Sequence, residues 1–150
     1  MNIFAVDTDP RRAANALCDQ HIVKMALESA QMLSTVSGGP YKPTHQHHPC
    51  TIWVGTSENN YMWLQIHAME LCREYTRRWG GLHQCERVIA ALSTPPIELP
   101  PLGLTPFMQA MPQELRHVDH VRAYRAYYRT KTFARWRHSL PPKWFFETLP

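Results

Sequence analysis

The chain has 150 residues, 44% of them hydrophobic, which is enough to bury a core unaided and excludes a disordered chain. Cys18, Cys50, Cys72 and Cys85 form no CxxC pair, so free thiols in a reducing compartment fit better than a disulfide scaffold. The net charge of +4 leans only weakly toward a polyanionic partner, no apolar run approaches the roughly 20 residues of a membrane helix, and the first residues lack the basic start and long apolar stretch of a signal peptide.

Residues 2–6 are apolar and short, fitting a buried arm or a short strand. Asp9 before Pro10 is a helix start, and a first short helix is predicted from Pro10 to about Leu17. Residues 18–35 then read as a helix that is apolar around most of its circumference. Ile22, Val23, Met25, Ala26, Leu27, Ala30, Met32 and Leu33 leave one narrow polar stripe of His21, Lys24, Glu28, Gln31 and Thr35. His21 and Glu28 lie two turns apart on that face, as expected of a cleft floor. The plainer alternative is an amphipathic helix whose Lys24 and Glu28 form a surface pair. Gly38, Gly39 and Pro40 end the helix.

Prolines 40, 43 and 49 predict an irregular loop over residues 40–50. It holds His45, His47, His48 and Cys50, four potential zinc ligands within six residues. Structural zinc favours two separated ligand pairs, so a loop histidine on a phosphate or on Glu28 is a better reading than a metal site, packing or solvent exposure stays open beside it, and no metal or other cofactor is expected. Ser57 caps a long helix to about Trp79, closed by Gly80-Gly81, and a shorter helix follows over residues 83–92. Six prolines between residues 94 and 112 predict an extended segment wrapped over the helices, with Ile97, Leu99, Leu102, Leu104, Phe107 and Met108 seeking burial. A last helix is expected from Asp119 to Lys131. The sum is an all-α fold: a compact single domain, residues 1–150, with long Pro-rich loops.

From Arg116 to Lys143 lie eight of the sixteen Lys and Arg residues, with Asp119 as the single acid. Tyr124, Tyr127, Tyr128, Phe133 and Trp136 are interleaved with them. Cations neutralise phosphates and aromatic faces stack on bases, so this region points to nucleic acid. Arg122, Arg125, Arg129, Lys131, Trp136 and Lys143 are its candidate contacts, with Lys24, Gln31, Lys42, His45 and His48 on the N-terminal side. Trp136 and Trp144 are better stacking candidates than Trp53, Trp63 and Trp79, and Cys18 reads as packing.

The Asp19-Gln20-His21 triplet followed seven residues later by Glu28 resembles the pyrimidine-dimer DNA glycosylases of the phage endonuclease V type. Further echoes are residues 61–80, the Met111-to-Arg116 segment, the Tyr41-Lys42…His48-Pro49 stretch and the basic, aromatic C-terminal end. The resemblance implies an endonuclease V-like helical fold and a DNA N-glycosylase with AP lyase activity on a damaged or modified pyrimidine. In that chemistry the N-terminal α-amine attacks C1′ and forms an imine. An α-amine suits this, since its reference pKa of about 7.7–8.0 leaves a neutral fraction at pH 7. The resemblance makes Glu28 the catalytic carboxylate and gives His21 the sugar, the phosphate or a proton to handle. Where the family exposes a threonine by removing Met1, this chain has Asn2, a poor side chain for methionine removal, so of the candidate positions Met1 and Asn2 either Met1 presents the amine or the nucleophile is lost. Where the family places arginines around the glutamate, this chain has Leu27 and Gln31. The expected partner is DNA, as a duplex, with no membrane; a cytoplasmic monomer in a bacterial or phage-infected cell is expected. Two other readings stay open: a base-modifying or nucleotide-processing enzyme on the same scaffold, and a non-catalytic DNA-binding module.

Overall fold

The computed structural model describes residues 1–147. Six α-helices follow in order: α1 (Pro10–Asn15), α2 (Asp19–Ser37), α3 (Pro49–Val54), α4 (Glu58–Trp79), α5 (Glu86–Ala91) and α6 (His120–Arg129). Short 3₁₀ turns occupy Gln113–Leu115 and Lys143–Phe145, and there is no strand among the described residues. The all-α reading holds.

Local chemistry sets the helix ends. Asp9 accepts from the backbone N–H groups of Arg11 and Arg12 at the start of α1, Ser57 from that of Asn60 in α4, and Asp119 from that of Arg122 in α6. Gly38 and Gly80 close α2 and α4 at φ of 87° and 83°, a left-handed conformation costly for any residue with a Cβ. The loop reading of residues 40–50 is corrected at its end. Pro49 opens α3 as its first residue, where the missing N–H costs nothing, and His48 Nδ1 accepts from the N–H of Cys50.

α4 is the central packing element, with α1 and α2 laid against it and α3 against both α2 and α4. Tyr61, Leu64, Leu71, Ile22, Met32 and Leu33 are fully buried between these helices. The apolar face of α2 is narrower than expected, since Val23 is 45% exposed. Residues 2–6 form a buried arm rather than a strand.

The Pro-rich segment does wrap over α3 and α4. Trp53 donates to the Pro106 carbonyl, Ser57 to the Gly103 carbonyl, and Asn60 exchanges hydrogen bonds with Thr105. Its apolar side chains are not all inside, however. Phe107 is buried, while Ile97 (96% exposed), Leu102, Leu104 and Met108 face solvent. Backbone and polar ties, rather than a continuous apolar face, hold this segment.

Candidate active site

The buried arm is built around Asn2. Its side-chain oxygen accepts from the backbone N–H groups of Ile3 and Phe4, and its amide donates to the Ala110 carbonyl. Asn2 is thus committed to anchoring. Phe4 adopts φ of 39°, a left-handed conformation that costs a non-glycine residue on the order of 1 kcal/mol or more. That turn lays the Phe4 ring flat on His21, with centroids 4.6 Å apart and planes at 19°.

The arm carries Met1 to the polar stripe of α2. The Met1 amine lies 3.9 Å from Glu28 Oε2, and Lys24 Nζ lies 3.9 Å from Oε1 of the same carboxylate. The Glu28 side chain is only 15% exposed, so this carboxylate sits between two amines with little water around it. A cavity of about 240 Å³ opens over the cluster. His21, Lys24, Glu28, Lys131 and the Met1 terminus supply its polar groups, and Phe4, Tyr127 and Phe133 form its aromatic walls. His21, Lys24 and Glu28 of the stripe therefore line a cleft, Gln31 and Thr35 fall outside its lining, and the Lys24–Glu28 pair is part of a larger cluster.

His21 is buried, and burial, reinforced by the positive charges of Lys131 and Lys24, pushes its pKa down to about 4. The imidazole is neutral at pH 7. Its Nδ1 lies 2.8 Å from the Tyr128 hydroxyl. Lys131 crosses from the C-terminal side, its ammonium 3.8 Å from the centroid of Tyr127 and 5.8 Å from that of Phe4.

Other predicted residues distribute unevenly. Gln31 is half-buried one turn beyond Glu28, and Lys42 and His45 are exposed on the loop. His45 sits at φ of 48° with Nδ1 2.8 Å from the Thr44 hydroxyl. His48 is half-buried; burial first, then the N-terminal amine and His45, lower its pKa, while Glu28 opposes them. His48 therefore shares the electrostatic field of the Met1–Glu28 cluster. No group of three or more His, Cys, Asp or Glu side chains is arranged to hold a metal ion among the described residues.

The C-terminal cations are mostly engaged. Arg125 donates to the Val6 carbonyl, lies 3.7 Å from Asp7 and covers the Trp144 ring, and Arg129 donates to the Trp144 carbonyl. Trp136 is half-buried, its N–H donating to the Ala16 carbonyl and its ring against Phe145. Arg122 is half-buried beside a separate cleft of about 160 Å³, and Lys143 is exposed.

Three features escaped the sequence reading. The first is the work of Asp19 and Gln20, which clamp residues 133–137 onto the start of α2. Gln20 donates to the Phe133 carbonyl and accepts from the Arg135 N–H, while Asp19 receives the Arg137 N–H and gives its own N–H to the Arg135 carbonyl. The second is Arg78, buried between Asp19 and Glu74, which fixes the Asp19 carboxylate. The third is a cleft of about 340 Å³ where Trp79 faces Arg135, Arg137 and His138. Clustered cations after Lys131 hinted at the third. The roles of Asp19 and Gln20 needed the fold.

A neutral histidine, a shielded carboxylate and a terminal amine surround one cleft in this helical protein, beside a basic strap formed by residues 133–137. The sequence model of the pyrimidine dimer DNA glycosylase family matches residues 1–86, and the chain belongs to that family. The matched stretch contains Met1, His21, Lys24, Glu28 and His48; the strap lies beyond it. No curated protein and no solved structure matches the chain.

Proposed function

We propose that this protein is a DNA N-glycosylase with attached AP lyase activity, acting on a damaged or modified pyrimidine in duplex DNA through the Met1 α-amine. The observation that carries the reading is the 3.9 Å approach of that amine to Glu28 inside the cleft. The amine lone pair attacks C1′, and the glycosidic bond electrons leave with the base, which takes up a proton. The amine gives a proton to Glu28, which delivers it to O4′ as the C1′–O4′ bond opens, and C1′ becomes an iminium carbon. That cation acidifies C2′. Loss of the C2′ proton forms a C=C bond and expels the 3′ phosphate. Glu28 serves as proton acceptor and counter-charge, a role suited to a carboxylate held away from bulk water.

Neutral His21 orients the sugar or phosphate. Lys24 and Lys131 offer charge to the backbone phosphates, and Arg137 and Lys143 extend the contact along the duplex. Leu27 and Gln31, where the resembled family places arginines, favour a substrate other than the usual dimer. Reaching C1′ requires a base to leave the stack, and Phe4, Tyr127 and Phe133 present faces for what is extruded.

The test is borohydride reduction of the protein mixed with duplex DNA holding a thymine dimer or an abasic site. A covalent protein–DNA band, lost when the N-terminus is blocked, is expected. DNA binding without a band on either duplex would refute the amine chemistry.

A further inference from the structure

The geometry points to Tyr128 as the positioning residue of His21: its phenol O–H, donated to Nδ1, holds the imidazole with its proton on Nε2, so that the cleft-facing edge donates a hydrogen bond to a sugar or phosphate oxygen of the DNA strand. The inference concerns the same cleft as the proposed glycosylase reading and rests on it for the identity of the acceptor.

Tyr128 comes from α6 and is fully buried. Its oxygen meets three groups: the Cys18 backbone N–H at 2.9 Å, Cys18 Sγ at 3.1 Å and His21 Nδ1 at 2.8 Å. A phenol has one proton and two lone pairs. The backbone N–H can only donate, so it occupies one lone pair. The proton and the second lone pair remain for the imidazole and the thiol. Thiol sulfur is a weak acceptor and a weak donor, whereas an imidazole nitrogen is a strong acceptor. Both Cys18 Sγ and His21 Nδ1 are placed to accept the phenol proton, and it goes to Nδ1, the nearer and the stronger acceptor. The reverse arrangement would give the one strong donor of this buried cluster to sulfur.

Ring packing holds the same orientation. Phe4 stacks on His21, and Tyr128 and Phe133 meet it edge-on at 5.3 and 5.4 Å. With Nδ1 occupied, Nε2 is the nitrogen left for a ligand, and His21 lines the cavity together with Glu28, Lys24 and Lys131. Burial keeps both the phenol and the imidazole uncharged, consistent with a neutral donor. This assignment gives Cys18 a second duty beyond packing, since its backbone N–H fixes the phenol oxygen.

The experiment is long-range ¹H–¹⁵N correlation of the ¹⁵N-histidine-labelled full chain at pH 7, with His21 assigned by the loss of its signals in H21A. The expected result is a protonated Nε2 and an unprotonated Nδ1 in the wild type, with the two forms mixed in Y128F. C18A should keep the wild-type pattern. On cleavable DNA, Y128F should lower kcat roughly tenfold with KM unchanged, a split that general loss of structure would not give. A wild-type His21 protonated on Nδ1, or a Y128F spectrum with the wild-type pattern, overturns the inference. The wild-type spectrum decides even if Y128F does not fold. It needs no DNA, so its failure is distinct from failure of the glycosylase reading.

Discussion

The start of α2 and the end of the chain use charge in opposite ways. On α2, His21, Lys24 and Glu28 turn into the cleft, and Lys24 remains 67% exposed at its side chain. At the C-terminal end the charge density is higher, but Arg125 and Arg129 are spent on backbone carbonyls and a tryptophan face. The lesson is that cation density along a sequence marks a region, while hydrogen bonding to the backbone decides which cations remain for a partner. Lys131, Arg137 and Lys143 are the cations that the proposed function assigns to DNA.

The largest effect that would sharpen this contrast is at Glu28. Glu28→Gln keeps shape and removes the charge, and is expected to lower single-turnover cleavage by about 100-fold or more with DNA affinity nearly unchanged. A comparable loss of affinity, seen in a binding titration, would move Glu28 from chemistry to binding.

Acid stability comes next. His21 and His67 are both buried and held near 4 in the folded protein, against 6.5 in an unfolded chain. His67 faces Trp63 and the Pro10 carbonyl; His21 faces Lys24, Lys131 and Tyr128. Above pH 6.5 both states carry these rings neutral, and nothing is lost. As pH falls from 6.5 toward 4, the unfolded chain takes up protons that the folded chain refuses. Stability should drop by on the order of 3 kcal/mol per histidine across that window. Denaturant melts at pH 7 and pH 4.5 test this, and His67→Gln should flatten the decline by about half.

On the C-terminal side, Arg125→Gln should lower stability by about 1–2 kcal/mol through lost ties to Val6 and Asp7, with little change in the salt dependence of DNA binding. Lys131→Gln and Arg137→Gln should do the reverse, each reducing the salt slope by about 1 with a small change in Tm. If Arg125→Gln changed the slope and Lys131→Gln did not, the division between tied and available cations would be broken.

Much of this was legible in the sequence where spacing alone fixes geometry. His21 and Glu28 fall on one helix face because they are seven residues apart, and Asp9, Ser57 and Asp119 announce helix starts. Pro49 misled because the same residue that forbids a helix interior is favoured at its first position. The Met1–Glu28 approach could not be read, since it depends on the Asn2 anchor and the turn at Phe4, whose partners include the distant Ala110 carbonyl and the His21 ring. Asp19 and Gln20 were visible as part of a motif, but their task depends on a strap more than a hundred residues away. Ile97 and Leu102 look like core by composition and lie outside because polar ties already position their segment.

The central claim is that the Met1 amine, rather than the nearby Lys24 or Lys131 ammonium, is the group that reacts. Mass spectrometry of the borohydride-reduced adduct, after proteolysis of protein and DNA, tests it most directly. The sugar remnant on the peptide that begins with Met1, and on no other, is the predicted result. A remnant on the peptide containing Lys24 or Lys131 would contradict the account.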